Sequence, residues 1–363
     1  MIGQKYDKKI DELRAGMVTA ERVILNNEED INILTIRTGT VLSEEMIGRL
    51  RRNKVEILSI YPSIDHVPKA VKTPPVEPVI DEALREEAVE SIRNLFGALV
   101  DGNMTTAHQV VKELDDIVEQ LVDTISSDSN AFVHITDLKS YDEYTYHHSL
   151  SVAVLSIAIG KSMNLNAAQL KKLGQCAILH DIGKTEIQLE LINLPRRLTA
   201  QEFEAVQQHA QKGAQYLMRN QIGDAELWRA VAYHHEKMNG RGYPQGLRGE
   251  AIPLYSRIIS VADVYDAVTS YRPYRDPMPP AEAIELIMSE VDTSFDYNIV
   301  TKFVDNLEVY PINTVVELSD GRQGMVIENT INLRPILKML DDDSTLDLMD
   351  LNNLSLIIAK VLD

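Results

Sequence analysis

The sequence contains one cysteine, Cys176, so no disulfide can form within the chain. A chain without internal disulfides is typical of a reducing compartment, and in an apolar helical stretch this cysteine is interpreted as a small buried side chain. The longest apolar run, near residues 150–159, is far shorter than the ~20 residues that cross a membrane. No apolar signal peptide opens the sequence. These features predict a cytoplasmic protein without membrane insertion.

Positive charge is also scarce. The 36 Lys and Arg residues face 55 Asp and Glu residues, which gives a formal net charge of −19. An acidic surface repels long phosphate backbones, so binding of long nucleic acid is not expected. A small anionic substrate is compatible with this charge if cations are concentrated locally. The content of 44% hydrophobic and 25% charged residues is ordinary for globular domains.

Changes in sequence pattern divide the 363 residues into regions. A small α+β module is predicted at 1–62, a Pro-rich linker at 63–80, a helical connecting segment at 81–137, a helical catalytic domain at 138–310 and a small β-rich cap at 311–363. The predicted fold class is therefore mainly α, a helical bundle with small flanking modules. The connecting segment is open to two interpretations, either a stalk that forms a homodimer or an extra layer on the bundle.

Histidine and aspartate recur on the apolar faces of five predicted helices. In the first of them, His148 precedes Val152, Leu155 and Ile159 at steps of four, three and four, which places all of them on one face. The same analysis selects His148, His180 with Asp181, His209, His234 with His235, and Asp263 with Asp266 on the same side. One histidine on an apolar face is usually a satisfied core residue. Five helices with this pattern favour a shared site.

A shared site of this kind is predicted to hold metal. Burying ionised aspartates without partners costs several kcal/mol each, and a bound cation offsets that cost. Imidazole and carboxylate donors without thiolate suit iron or manganese, and imidazole also accepts zinc. Seven candidate ligands exceed what one catalytic metal with an open position uses. We therefore predict two divalent metal ions, with iron or manganese as the expected metals.

Two motifs carry a resemblance to a known family. The run HDIGK at 180–184 is followed by HHEKMNGRGYP at 234–244. Together they resemble the HD-GYP family of the HD phosphohydrolase superfamily, and the likeness extends over residues 138–310. The resemblance implies an all-helical bundle around a metal centre and hydrolysis of cyclic di-GMP as the expected activity.

The resemblance also implies roles for individual residues. The residues that correspond to metal ligands are His148, His180, Asp181, His209, His234, His235 and Asp263, with Asp181 bridging. Lys184 corresponds to a catalytic lysine near the scissile phosphate, and Arg272 and Arg275 correspond to cations that hold the phosphates of the substrate. A solvated cluster at a helix end is the alternative for the two arginines. Some members hold a third metal through a glutamate where this sequence has Tyr144, which favours two metals here.

Two metals roughly 3.5–4 Å apart can hold a bridging water and lower its pKa toward about 7. The expected reaction is therefore attack of hydroxide on phosphorus, with linear pGpG or GMP as the product. The alternatives are a cyclic di-GMP sensor with little turnover and an HD hydrolase of another cyclic dinucleotide or phosphate ester. Two features remain open: the glycine-rich loop 239–249 is either a substrate or partner contact or a buttressed turn, and Glu236 either orients a ligand or faces water.

Overall fold

The computed structural model describes most of the chain, and the account below concerns these residues. They are 6–20, 23–26, 33–36, 42, 47–48, 50–51, 55, 57–62, 80–127, 144–188, 191, 196, 198–270, 277–307, 309–310, 312–328 and 333–362. Their structure is mainly helical, as predicted. The chain divides into two compact units, residues 77–307 and residues 1–76 with 308–363. The finer domain boundaries stay a prediction.

The unit 77–307 consists of helices. They are α1 (Glu82–Val100), α2 (Met104–Ser127), α3 (Tyr144–Ser162), α4 (Ala167–Leu179), α5 (Ala200–Arg219), α6 (Ala225–Tyr233), α7 (Leu254–Thr269), α8 (Pro280–Ser289) and α9 (Tyr297–Asn306). Helix α3 packs against α4 and α7, α5 packs against α6, and α1 and α2 cover α3 and α4.

Helix α3 forms the centre of this bundle. Residues 148–160 are all buried, because this helix is apolar or small on every side, the pattern of a helix enclosed by others. Any polar side chain in this part of α3 therefore lies in the interior of the bundle. His148 is such a residue.

Helices α1 and α2 form a hairpin whose break lies at Gly102 and Asn103. Gly102 has φ +67°, a left-handed conformation that glycine adopts without steric cost at a helix end. The Asn103 side chain accepts from the backbone N–H of Thr106 at the start of α2. Along α2, Val110, Leu114 and further apolar residues about one turn apart have buried side chains on one face of the helix. The apolar stripe of the predicted connecting segment is thus covered within the unit 77–307.

The second unit contains antiparallel strands. They are β1 (Tyr6–Lys9), β2 (Val18–Thr19), β3 (Val23–Asn26), β4 (Ile33–Ile36), β5 (Ile57–Tyr61), β6 (Val315–Leu318), β7 (Gln323–Glu328), β8 (Ile336–Met339), β9 (Thr345–Asp347) and β10 (Ile358–Leu362). The sheet orders are β1-β5-β2, β3-β4 and β10-β6-β7-β8-β9. Strands β6 and β7 form an antiparallel hairpin within the region 311–363, which the sequence predicts to be β-rich. The sequence also predicts a helix capped by Ser43, a residue that lies outside the described residues.

Across the described ranges, no helix combines the length and the apolar composition that crossing a membrane requires. The cytoplasmic location stays a prediction.

Cys176 lies on α4 and is fully buried. Burial raises the pKa of its thiol, so the side chain stays protonated at neutral pH and unreactive. The interpretation of Cys176 as a small buried side chain is confirmed.

Candidate metal centre

Two pairs of adjacent residues reach the interior because the chain leaves a helix at each pair. Helix α4 ends at Leu179, and His180 and Asp181 follow before the 3₁₀ turn Ile182–Glu186. Neighbouring residues in a continuous α-helix point about 100° apart, so they cannot both face one site. His180 is the C-cap of α4 and keeps helical dihedrals (φ −55°, ψ −38°), and Asp181 is the first residue beyond it.

The second pair repeats the arrangement. Helix α6 ends at Tyr233, and His234 is its C-cap, with His235 beyond it. His148, His209 and Asp263 do lie within helices, on α3, α5 and α7 respectively. Three helices and two helix ends therefore supply the seven predicted side chains.

The structure brings all seven candidate ligands together. Within the described residues they form three overlapping groups in which one nitrogen or oxygen atom of each member lies within 4.8 Å of the others. The groups are His209, His234 and His235; His148, His180 and Asp263; and His180, Asp181 and His234. All seven are buried except His235, whose side chain is 26% exposed. One side of the cluster therefore remains open to solvent.

Asp181 lies between the two histidine groups. Its Oδ1 is 3.4 Å from Nε2 of His209, while its Oδ2 is 3.3 Å from Nε2 of His180 and 3.6 Å from Nε2 of His148. Burial acts to raise the pKa of Asp181, but the positive charge of Lys184 and the contact with His180 hold that pKa well below its ordinary value. The carboxylate is ionised at neutral pH, with one oxygen directed toward each group.

Hydrogen bonds to the backbone fix the tautomer of three of these histidines. Nδ1 of His180, His209 and His234 lies 2.6, 2.7 and 2.7 Å from the carbonyl oxygen three residues earlier. A carbonyl oxygen only accepts, so each Nδ1 must carry the proton and donate it. Each Nε2 is then left with a lone pair that points into the cluster.

The lone pairs of His209 and His234 face each other without a proton between them. Nε2 of His209 lies 3.4 Å from Nε2 of His234 and 3.2 Å from Nε2 of His235. Burial lowers the pKa of His209 and His234 and lowers that of His235 to about 3, so the rings are neutral. Nε2 of His180 is buried with no hydrogen-bond partner among the described residues, although Asp181 Oδ2 is near. The chemistry of this set of nitrogen and oxygen donors fits divalent metal ions.

His148 is oriented differently, by a carboxylate. Its Nδ1 lies 2.7 Å from Oδ2 of Asp266, and its Nε2 lies 3.2 Å from Oδ1 of Asp263. Burial acts to lower the pKa of His148, but hydrogen bonds to Asp263 and Asp266 outweigh it and raise the pKa to about 9. The Ser270 hydroxyl donates to Asp266 in turn. Sequence reasoning placed Asp266 beside Asp263 but gave it no role; the spacing of three residues was the available indication.

Replacing Asp266 by alanine is expected to weaken metal binding. A carboxylate that accepts from a ligating histidine fixes its orientation, and losing it typically costs about 10–100-fold in metal affinity. Asp266→Asn keeps an acceptor oxygen for Nδ1 of His148 and is the matched control, with a smaller loss. Titration of the metal-stripped protein with Mn²⁺ against a chelator measures both. Equal affinities of Asp266→Ala and the unmodified protein would contradict the assignment.

Lys184 lies at the open side of the cluster. Its ammonium group forms an ion pair with Oδ2 of Asp181, and its side chain is 26% exposed. It is carried by the 3₁₀ turn Ile182–Glu186. Arg272 and Arg275, the other predicted cations, lie outside the described residues.

The glycine-rich loop 239–249 packs directly against this site. At Gly242, an added Cβ would lie 2.4–2.5 Å from backbone atoms of Lys237, Glu236 and His235, so only glycine fits. The ring of Tyr243 lies against the His235 ring, with centroids 4.8 Å apart and planes at 36°. The interpretation of the loop as a buttressed turn is favoured by these contacts. The stacking of Tyr243 on His235 had no indication in the sequence spacing.

The fold and the clustered histidines and aspartates define a helical metal-binding domain of the HD type. Residues 124–299 match the family model described as HD domain. Together with the motifs at 180–184 and 234–244, this match supports the resemblance to the HD-GYP family.

Part of this chain is similar in sequence to curated proteins. A cyclic di-GMP phosphodiesterase of Pseudomonas aeruginosa is 38% identical over 213 residues, which cover 59% of this chain and 51% of the relative. The 3′3′-cGAMP-specific phosphodiesterase 1 of Vibrio cholerae is 34% identical over 190 residues, which cover 52% of this chain and 43% of the relative. The chain thus spans about half the length of these relatives.

A solved structure shares the fold. Bd1817, an HDG"Y"P protein from Bdellovibrio bacteriovorus, aligns with a TM-score of 0.52 over 83% of this chain and 98% of that chain. The sequence identity is 18%, so this likeness concerns the fold alone.

Proposed function

We propose that this chain is a metal-dependent phosphodiesterase that hydrolyses cyclic di-GMP to linear pGpG or GMP. The observation that carries the proposal is the pair of Nε2 lone pairs of His209 and His234, which face each other at 3.4 Å with no proton between them, near a buried Nε2 of His180 that has no hydrogen-bond partner among the described residues. Neutral imidazoles in this arrangement are stabilised by a cation and not by one another. The substrate class is supported by the names of the relatives, which act on cyclic dinucleotides.

Two divalent ions suit the donor set better than one. His148, His180 and Asp263 would hold the first, and His209, His234 and His235 the second. The orientation of Asp181, with one oxygen toward each group, supports its proposed bridging role. Nitrogen and oxygen donors without thiolate favour iron or manganese.

Bound metal ions and individual side chains of this chain have separate proposed roles in the reaction. Bound divalent cations supply a nucleophile at neutral pH and offset negative charge on the phosphoryl oxygens. Lys184, paired with Asp181 and partly exposed, would donate a hydrogen bond to a phosphoryl oxygen as charge grows there. Arg272 and Arg275 would each grip a phosphate with two parallel hydrogen bonds. Together these groups create a local positive site in an acidic protein.

Hydrolysis of the mixed cyclic dinucleotide 3′3′-cGAMP is the second candidate, supported by similarity to the Vibrio phosphodiesterase. A cyclic di-GMP sensor without turnover is not favoured, because all seven candidate ligands are present and converge.

The test uses the purified full chain, loaded with Mn²⁺ or Fe²⁺ without oxygen. About two metal ions per chain by elemental analysis are expected, with conversion of cyclic di-GMP to linear product by chromatography and no conversion by His180→Ala. Faster conversion of 3′3′-cGAMP would select the second candidate. Tight binding of cyclic di-GMP without product would contradict hydrolysis, and a chain that takes up no metal would contradict the metal centre.

We also propose a cytoplasmic location and a homodimer through residues 81–137. Because the apolar face of α2 is already buried within the unit, such a dimer would use the polar faces of α1 and α2. Light scattering on the full chain gives the mass that tests it.

A further inference from the structure

Glu236 is a buried carboxylate next to His235. It is 2% exposed, so it does not face water, one of the two roles left open by the sequence. A buried charge is costly unless hydrogen bonds satisfy it. Here Oε1 accepts from the backbone N–H of Gln245 at 2.7 Å, and Oε2 accepts from that of Leu247 at 2.9 Å. Both oxygens thus bind the backbone of the loop 239–249.

The loop is attached to His235 at a second point. The backbone N–H of Tyr243 donates to the carbonyl oxygen of His235 at 3.2 Å, and Gly242 permits that close approach. Between this bond and the two bonds to Glu236, the segment 243–247 is held against the helix end that carries His235. The Tyr243 ring then lies on the His235 ring.

His235 differs from the other four histidines of the cluster. Each of those has an Nδ1 hydrogen bond to a carbonyl or carboxylate oxygen. Nδ1 of His235 lies 3.9 Å from Oδ2 of Asp263, beyond hydrogen-bond distance, and no other such partner occurs in the described part of the chain. Apart from the contact between its Nε2 and Nε2 of His209, packing sets the orientation of this ring. Tyr243 provides it on the side toward the loop.

We infer that Glu236 is a positioning residue: its carboxylate fixes the loop 239–249, and the loop holds Tyr243 against His235. His235 then keeps Nε2 directed toward His209, where the second metal ion would bind. This inference rests on the proposed metal centre. It assigns the loop a role in forming that centre, in addition to any contact the loop makes elsewhere.

Glu236→Gln tests the inference with little change in size. The amide group presents N–H to a backbone N–H, so one of the two bonds is lost and two donors face each other. The affinity for Mn²⁺ at the proposed site of His209, His234 and His235 is expected to fall about 10–100-fold. Mn²⁺ at the proposed site of His148, His180 and Asp263 is expected to bind as before. Trypsin is expected to cut faster after the exposed Arg241 and Arg248 of the loop.

Glu250→Gln is the matched control, because it is the same substitution at an exposed carboxylate beside the loop. It is expected to change neither readout. Tyr243→Leu is a second variant that leaves the two Glu236 bonds available; the same selective loss of the second Mn²⁺ is expected.

The outcomes separate the two proposals. If the unmodified chain binds two Mn²⁺ and both variants bind them equally well, Glu236 and Tyr243 do not position His235 and the inference is wrong. An equal loss of affinity for both ions, with a lower melting temperature, would indicate a general structural role and also overturn it. Should Glu236→Gln fail to fold, Tyr243→Leu decides. A chain that binds no Mn²⁺ at all would refute the proposed metal centre itself.

Discussion

Asp181→Asn is expected to remove both metal ions and to abolish turnover. Asp181 directs one oxygen toward each histidine group, with Oδ2 at 3.3 Å from Nε2 of His180 and Oδ1 at 3.4 Å from Nε2 of His209. Asparagine keeps the shape but supplies a neutral amide, whose nitrogen cannot bind a metal. Metal ions contribute several kcal/mol of transition-state stabilisation. At about 1.4 kcal/mol for each factor of ten, hydrolysis of cyclic di-GMP is expected to fall by roughly a thousandfold or more.

His235→Ala is the matched comparison, because His235 would hold only the second of the two proposed ions, together with His209 and His234. It is expected to retain about one metal ion per chain, whereas Asp181→Asn retains none. Elemental analysis after gel filtration distinguishes the two, and circular dichroism checks that each variant is folded. Retention of one ion by Asp181→Asn would show that Asp181 does not bridge, and full retention would remove it from the site.

The helices that carry the centre follow from sequence periodicity. The stripe through His148, Val152, Leu155 and Ile159 repeats at helical spacing, and α3 is buried along that stripe. The break between α1 and α2 is equally local, because Gly102 has the positive φ that the turn requires. Such features depend on neighbours within one or two turns, which a sequence displays directly.

The helix ends were harder to predict. Leu173, Ala177 and His180 continue an apolar stripe, so periodicity extends the helix past its end at Leu179. The missed indication was that His180 and Asp181 are adjacent in the sequence, because two neighbouring residues do not share one face of a helix.

Long-range pairs were not visible at all. The hydrogen bond from His148 to Asp266 joins residues 118 apart in the chain, and the stacking of Tyr243 on His235 depends on a loop with no periodic pattern. The residue types that can serve as such a partner are nevertheless restricted, because the N–H group of a buried histidine needs a hydrogen-bond acceptor. Arg272 and Arg275 lie outside the described residues and stay predictions.

Gly183 lies within the HDIGK motif at 180–184, at a position where the fold requires a residue without a side chain. The 3₁₀ turn that bears Lys184 packs directly against the backbone of α5. A Cβ built on Gly183 would lie 1.9 Å from the carbonyl oxygen of His209 and 2.5 Å from the nitrogen of Gly213. The close approach holds the turn next to the helix that carries His209. Glycine at this position therefore serves the geometry of the cluster.

Gly183→Ala is consequently expected to lower the free energy of unfolding by about 3 kcal/mol or more, since overpacking typically costs ~1–3 kcal/mol and backbone atoms yield less than side chains. The shifted turn would also separate Asp181 from His209 and weaken metal binding. Gly97→Ala is the control: an added Cβ on α1 meets nothing within 4 Å, and helix propensity predicts a gain of up to ~1 kcal/mol. Urea unfolding of both metal-free variants measures the difference. Equal stabilities would mean that the turn moves away from α5 without cost, and that the geometry of the cluster does not depend on this contact.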